Sequence, residues 1–286
     1  MSAPDSSATG GASEAPSSLW SGAAASPGSE IAPAALLFGA VLAVPAILLG
    51  SLLFALLPAV SWWLGALLGL VVVAGLIWWV AERADHSVLS SLSAAVPEAR
   101  HPVRLVNMVE GLTLAGGVIS PSVLVLEDPA RNAMAVRRRD RNHLVLTTGL
   151  VDALDVVEME ATVAELLTRL RNGDAETATL GAALVGRPLI DGPLGALLAP
   201  LGRKVLGRLL PPDRDLEADR QAVTLTRYPP GLIQALQTLD GQEVQPRCAT
   251  VGTASLWLVD PAPQAATAGE EDRAPLSLRI DALAEL

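Results

Sequence analysis

The chain has 286 residues and a net charge of −10; 51% of its residues are hydrophobic and only 17% are charged. An ordinary soluble protein carries about 25% charged residues, so the composition argues against a simple water-soluble enzyme and against a fully disordered chain. The acidic balance argues against a nucleic-acid-binding protein, because the phosphate backbone selects basic surfaces. Cys248 is the single cysteine, which excludes an internal disulfide bond and a cysteine-rich zinc module.

The chain begins with a low-complexity segment. Residues 1–32 are mostly Ser, Ala, Gly and Pro and contain neither Lys nor Arg. Such a stretch has too little large apolar surface to offset chain entropy, so we predict a disordered tail. A secretory signal peptide is disfavoured, because the basic n-region is missing and the apolar stretch that follows is too long.

Two uncharged runs within residues 33–81 predict a transmembrane helical hairpin. The runs cover about residues 34–57 and 60–81, and each is long enough to cross a hydrocarbon core of about 30 Å. A tryptophan pair stands near each end of the second run, at residues 62–63 and 78–79, as is typical of membrane interfaces. The alternative is a pair of buried core helices in a soluble protein.

Residues 86–286 have the composition of a folded domain. The β-rich runs at 123–126 and 143–147, joined through residues 132–141, predict a small meander. Residues 155–170 have helical period with their apolar side chains on one side, and the Asn-Gly-Asp at 172–174 predicts the end of that helix.

The second half of this domain is predicted to be helical. Residues 180–210 are apolar but interrupted by Gly and Pro, which predicts short amphipathic helices that touch a membrane surface. We predict further helices at 216–225, 230–239 and 276–286, with a polar linker at 262–272.

Seven short motifs follow one another between about Arg104 and the end of the chain. In order they are Pro121 to Leu126 with Asn132-Ala133-Met134-Ala135, Thr147-Thr148-Gly149-Leu150, Glu158-Met159-Glu160-Ala161, Arg171-Asn172-Gly173-Asp174, Asp215-Leu216-Glu217-Ala218-Asp219, Pro230-Gly231-Leu232 with Ala235-Leu236, and Ala274-Pro275-Leu276 with Arg279-Ile280. Together they resemble the HtpX-like membrane zinc metallopeptidases, which are relatives of the CAAX prenyl proteases. The resemblance implies an α+β fold in which a two-helix transmembrane hairpin precedes a mainly helical, gluzincin-type metallopeptidase-like domain with a small β-sheet.

The resemblance breaks at the metal site. In the family, His-Glu-x-x-His places two zinc ligands on one helix face, and its Glu is the general base. The flanking motifs put Glu165, Leu166 and Arg169 at those three positions, and Asp215 at the third ligand, which is a Glu in the family. A guanidinium does not release its proton to bind a metal, and leucine accepts no proton from water. We therefore expect these four positions to provide neither a metal ligand nor a catalytic residue, and we expect no zinc cofactor. Asp219 is expected to lie next to the altered site.

These features predict a membrane-anchored pseudopeptidase that binds a polypeptide segment or a partner protease without cleaving it. In the family an extended substrate pairs with the strand edge beside the active helix, a mode that uses backbone groups and not zinc. The resemblance places that peptide-binding edge at Asn132, Ala133, Met134 and Ala135. The expected partners are the lipid bilayer and either a polypeptide segment to be held or presented, or a partner protease to be regulated, in membrane protein quality control. The alternatives are an active metalloendopeptidase with an unusual metal centre and a structural membrane scaffold.

Several charged groups leave alternatives open. Arg83, Arg100 and Arg104 follow the second run, which predicts that the domain lies on the cytoplasmic side of a bacterial inner membrane. The arginines at 137–141 suit either anionic lipid or a solvated hairpin tip. The carboxylates at 160, 165, 174, 215, 217 and 219 suit either a hard-cation site or solvated helix faces.

Glu165 and Arg169 also allow two interpretations. At a spacing of four residues they form either an exposed ion pair or a buried group. In the buried case Arg169 is expected to supply a positive charge between Glu165 and Asp215, since one planar guanidinium can donate to two carboxylates.

Overall fold

The structure is a computed structural model that describes residues 62–95, 99–100, 103–192, 195–240, 244–261 and 273–286, together with residues 39, 43 and 47. The helices are α1 (Trp62–Glu82), α2 (Ala84–Ala95), α3 (Val103–Gly116), α4 (Thr148–Ala153), α5 (Val156–Asn172), α6 (Asp174–Gly181), a π-helical segment (Ala182–Ile190), α7 (Gly195–Leu209), α8 (Arg214–Thr226), α9 (Pro229–Leu239), a 3₁₀ helix (Val251–Leu256) and α10 (Leu276–Ala284). The strands are β1 (Ala99–Arg100), β2 (Ser122–Leu126), β3 (Ala133–Arg138) and β4 (Arg141–Thr147). The mainly helical α+β architecture is therefore confirmed.

The apolar N-terminal part is represented by α1 and α2. Among the described residues no single helix is long and apolar enough to cross a membrane, and one pair, Leu67–Glu82 with Ala84–Leu92, passes that test together with a bend of 57°. Apolar side chains of α1 face outward, with Trp78 63% exposed. The predicted run at 34–57, apart from residues 39, 43 and 47, and the predicted tail and 262–272 linker lie outside the described residues, so the transmembrane hairpin stays a prediction.

The sheet has the order β1-β2-β4-β3, and the predicted meander is wrong. β2 runs parallel to β4, with Ser122 opposite His143, while β3 forms an antiparallel hairpin with β4. A meander would place β3 at the centre. The structure places β4 there because its apolar run is buried on both faces, which suits a central strand, whereas β3 ends in the partly exposed arginines of the hairpin.

Apolar layers cover both faces of this sheet. Along β4, Leu144 and Leu146 pack into one cluster, with α3, α5 and α9. Val145 points to the opposite face and packs into a second cluster, with α7 and the π-helical segment. This alternation follows the two-residue period of a strand, and it leaves α5 directly against the sheet.

Helix α5 is the central helix of the domain. Asp155 caps its first turn by accepting the backbone N–H groups of Val157 and Glu158, and the Glu158 side chain returns a bond to the Asp155 N–H. Gly173, with a φ of 89°, ends the helix, as the Asn-Gly-Asp pattern predicts. Residues 161–170 are all buried, so α5 is enclosed on every side and is not apolar on one side only.

The apolar segment at 180–210 also folds into the domain. Six of the nine residues in the π-helical segment, Ala182 to Gly186 and Leu189, are buried. This buried part packs against α7, α2 and the 3₁₀ helix. The π-helical segment therefore supplies core. On α7, Leu197 and Leu201 are exposed, so contact of that helix with a membrane surface stays a prediction.

The tip of the β3–β4 hairpin contacts the end of α1. Arg139 turns the chain with a φ of 53°. Its Nη2 lies 3.0 Å from Glu82 Oε2, and Arg138 Nη1 lies 3.0 Å from Glu176 Oε1. Glu82 and Glu176 thus neutralise part of the basic tip. Glu82 attaches the tip to α1, and Glu176 attaches it to α6.

We expect Gly149→Ala to lower the free energy of unfolding by about 1–3 kcal/mol, the usual cost of overpacking. A Cβ at Gly149 would overlap the backbone carbonyl of Pro129, while the Gly149 N–H is bound to Asp128 O at 2.9 Å. Gly111→Ala is the matched control, because nothing lies within 4 Å of its Cβ position and alanine favours a helix by about 0.5–1 kcal/mol. Chemical unfolding of both variants checks this, and equal midpoints would contradict it.

Candidate functional site

The predicted site residues of α5 form a buried ion pair. Glu165 and Arg169 project from consecutive turns of α5, and both side chains are at least 95% buried. Arg169 Nη2 lies 2.5 Å from Glu165 Oε1, and Arg169 Nε lies 2.7 Å from the same oxygen. The interpretation as an exposed surface pair is therefore wrong.

Asp215, near the start of α8, completes the predicted triad. Arg169 Nη2 lies 3.1 Å from Asp215 Oδ1, and the Asp215 side chain is 1% exposed. One guanidinium thus bridges a carboxylate on α5 and a carboxylate on α8, as expected for the buried interpretation. The third altered position, Leu166, is fully buried in the apolar cluster against the sheet.

Two further arginines donate hydrogen bonds to carboxylates of this group, and the Nε of a third, Arg214, lies 3.8 Å from Asp215 Oδ1. Arg273 donates to Asp215 through Nε, at 2.8 Å from Oδ2, and through Nη2, at 3.2 Å from Oδ1. Arg279 donates to both oxygens of Asp219 at 2.7 Å and lies 3.4 Å from Glu165 Oε1. We call Glu165, Arg169, Asp215, Asp219, Arg273 and Arg279 the arginine–carboxylate cluster.

The roles of Arg273 and Arg279 are missing from the sequence prediction. Arg279 stands in the closing motif, and a signal was available there, because a buried Asp219 requires a cation. Arg273 follows the 262–272 linker and carried no comparable signal. Neither arginine has a fixed spacing from α5 or α8, so pairing them from the sequence alone requires the tertiary structure.

The cluster changes the protonation equilibria of its carboxylates. Burial would raise the pKa of Asp215, but the guanidiniums of Arg273 and Arg169 outweigh it and hold that pKa well below its ordinary value. At Glu165 burial dominates and raises the pKa, although Arg169 and Arg279 oppose it. The difference follows the contacts, because Glu165 Oε2 is buried and has no hydrogen-bond partner among the residues that the structure describes.

We expect acid to destabilise the folded protein through Asp215. Its folded pKa is below its unfolded value of about 4, so the unfolded state binds more protons as pH falls from about 4, and the free energy of unfolding decreases through that window. Urea unfolding between pH 7 and pH 2.5 measures the slope. Asp215→Asn should flatten it, and an unchanged slope in that variant would assign the effect to other groups.

The predicted peptide-binding edge is covered by the chain itself. Asn132, Ala133, Met134 and Ala135 are all at most 2% exposed. Met134 forms an antiparallel bridge with Trp257, which lies beyond the outer edge of β3. Peptide binding at this edge stays a prediction, and it requires that this contact open.

The other candidate groups lie elsewhere. His143 Nε2 is 3.8 Å from Asp85 Oδ2 at the junction of β4 with α2. A cleft of about 360 Å³ at the start of α5 is lined by Glu160 and Tyr228, among others, and by no member of the arginine–carboxylate cluster. In the described part of the chain, no group of three or more His, Cys, Asp or Glu side chains is arranged to hold a metal ion.

Comparison with known proteins identifies the family. A protein named protease HtpX homolog from Dictyoglomus thermophilum is 30% identical over 223 residues, which cover 69% of this chain and 74% of the relative. The homologue of the same name from Acidiphilium cryptum is 30% identical over 248 residues, covering 73% of this chain and 84% of its own. The chain belongs to the HtpX-like family. A homologue from Dictyoglomus turgidum is 29% identical over 225 residues, covering 69% and 74%; no family model matches the chain.

The cluster of this HtpX-like protein does not fit the zinc ion that the family resemblance implies. In the register that the motif resemblance gives, Arg169 stands where the family motif has a ligand. Burial would lower the pKa of its guanidinium, but Glu165 and Asp215 outweigh burial and raise that pKa, so the group stays protonated. Asp215 is already bound by two guanidiniums. A fixed positive charge at this place repels a metal cation, so we derive no reaction step through zinc.

Proposed function

We propose that this HtpX-like protein is a membrane-anchored pseudopeptidase, which acts by binding a polypeptide segment or a partner protease and not by hydrolysis. One observation carries the proposal: the Arg169 guanidinium lies between Glu165 and Asp215, at positions where the motif resemblance expects the family's zinc ligands. On this proposal the mainly helical α+β architecture remains, and an ion cluster with a structural role stands in place of the zinc ion and general base that activate water in the family.

The absence of a general base supports the same conclusion. The family's base position is Leu166, which is fully buried among apolar side chains and has no atom that accepts a proton. The neighbouring carboxylates are engaged by arginines, as Asp219 is by Arg279. Removal of either the ligands or the base abolishes most metal-assisted hydrolysis, and here both are replaced.

Anchoring to a membrane is supported by the apolar exterior of α1. Its exposed side chains include Leu67, Val71 and Val72, each more than half exposed, and a water-exposed helix of this kind would be an aggregation site. Arg83, with its guanidinium 4.9 Å from the centre of the Trp79 ring, marks the polar end of α1. The basic residues beyond that end favour the cytoplasmic side of an inner membrane.

The experiment is a joint test of metal content and proteolysis. We expect the purified full chain, in detergent, to contain no stoichiometric zinc and to leave casein uncut. The Dictyoglomus thermophilum protease HtpX homolog, prepared in the same way, is the positive control for cleavage. One zinc ion per chain together with chelator-sensitive cleavage, lost in Asp215→Ala, would overturn the proposal in favour of a peptidase with an unusual metal centre.

Binding is tested separately from hydrolysis. The proposal expects labelled, unfolded casein to be retained by the full chain without fragments, whereas a purely structural scaffold would retain none. Capture of casein in this assay distinguishes a binding protein from a scaffold whatever the metal analysis gives.

A further inference from the structure

Residues Trp257 to Val259 lie along the outer edge of β3. The Leu258 N–H donates to Ala133 O at 2.7 Å. The Asn132 side-chain amide bonds both backbone groups of Val259. Its Nδ2 donates to Val259 O at 2.8 Å, and its Oδ1 accepts the Val259 N–H at 3.2 Å. The bond from Leu258 to Ala133 and the antiparallel bridge between Met134 and Trp257 are the backbone contacts that an added antiparallel strand makes with a sheet edge, and the Asn132 side chain extends them by one residue. We call residues 257–259 the edge segment.

The opposite side of the edge segment is bound by the arginine–carboxylate cluster. Trp257 O accepts Arg169 Nη1 at 3.2 Å and Arg273 Nη1 at 3.1 Å. Leu258 O accepts Arg273 Nη2 and Arg279 Nη1, each at 3.1 Å. Two consecutive backbone carbonyls are therefore held by three guanidiniums, and bonds from charged donors are stronger than neutral ones.

We propose that the edge segment is an internal occupant of the peptide-binding edge, and that polypeptide binding at β3 requires its release. The inference rests on the proposed function, since it describes how that same edge is regulated. The segment occupies the Ala133 carbonyl and the bridge position at Met134 that an incoming strand would need, so the two cannot be bound together. The altered metal site thereby gains a role, because its arginines hold the edge closed.

Arg273 is the residue through which closure can be weakened with least damage to the core. Its side chain is 15% exposed, against 5% for Arg169 and 2% for Arg279. It bonds to both carbonyls of the edge segment. Its loss leaves the bridge from Arg169 to Asp215 in place, so α5 and α8 stay joined.

The test compares the full-length parent with Arg273→Gln and with the control Arg220→Gln, an exposed position on α8. Labelled unfolded casein is titrated into each protein in detergent, and hydrogen exchange is followed at the Leu258 and Val259 amides. We expect Arg273→Gln to exchange faster at both amides and to bind casein about tenfold more tightly, since apparent affinity scales with the fraction of open protein. Arg220→Gln should match the parent in both measurements.

A measurement on the parent alone gives an independent result. Saturating casein should raise exchange at Leu258 and Val259, because the bound strand displaces the edge segment. Casein binding that leaves both amides protected would overturn the inference, as would equal casein affinities of the parent and an Arg273→Gln variant that exchanges faster. Faster exchange in Arg273→Gln with no casein bound by any protein would overturn the proposed function, while supporting the closed edge itself.

Discussion

Arg169→Ala is expected to lower the free energy of unfolding by about 3–5 kcal/mol, the range for breaking a buried ion pair by removing one partner. The substitution leaves Glu165 fully buried, with Arg279 as its remaining cation at 3.4 Å. It also removes the bridge from α5 to α8 and a donor to the Trp257 carbonyl. Urea unfolding of the full chain in detergent measures the change.

A second substitution should recover much of this loss. Arg169→Met with Glu165→Gln removes one positive and one negative charge together, and a buried pair replaced by uncharged groups of similar size is often close to neutral. Asp215 should be left unchanged, because Arg273 binds both of its oxygens. We therefore expect the triple variant that adds Asp215→Asn to be less stable than the double variant, since it deprives Arg273 of its carboxylate.

Arg208→Ala, at an exposed position on α7, is the control for the loss of an arginine as such. A surface change of this kind is expected to stay within about 0.5 kcal/mol. If Arg169→Ala were as stable as Arg208→Ala, the cluster would contribute nothing to the fold, and the structural role given to Arg169 would be wrong.

Arg279→Met should be as severe, with a loss of about 3–5 kcal/mol in the free energy of unfolding. Arg279 is 1% exposed and binds both oxygens of Asp219, so its removal leaves that carboxylate buried and unpaired. Arg279→Lys should recover less than half of the loss, because an ammonium cannot reproduce the planar two-point contact. Thermal and urea unfolding of both variants check the order parent, Lys, Met; a fully stable Lys variant would show that charge alone suffices.

The sequence predicts helices well where their end signals are local. The stop at Gly173 was recognisable because the Asn-Gly-Asp pattern acts on its own helix terminus, and the helical period begins at residue 155, next to the first residue of α5. The sheet order was not, because β2 and β4 meet only through a tertiary contact, and the linking strand β3 reads equally well as a central or an outer strand. The predicted strands were correct in position and the antiparallel pairing of β3 with β4 is present, but β2 pairs with β4 in parallel and not with β3.

The site shows the same limit. The triad of Glu165, Arg169 and Asp215 could be predicted because the flanking motifs fix two helices whose relation the family resemblance supplies. The surroundings of the triad could not be predicted. Arg273 and Arg279 follow a linker that does not fix their position relative to α5 and α8. The hydrogen bonds between Asn132 and Val259 join two distant segments, and no sequence pattern relates them. Burial and occupancy depend on distant chain segments, which local spacing does not encode.

The long separations within the arginine–carboxylate cluster have a consequence for synthesis on the ribosome. Arg273 follows Asp215 by 58 residues, and Arg279 follows Glu165 by 114. A nascent chain that has already made α5 and α8 has Arg169 for Glu165 and Asp215, but Asp219 still lacks its cation Arg279, and charged groups without partners resist burial. The region around Asp219 can therefore close in its final form only after translation has passed Arg279.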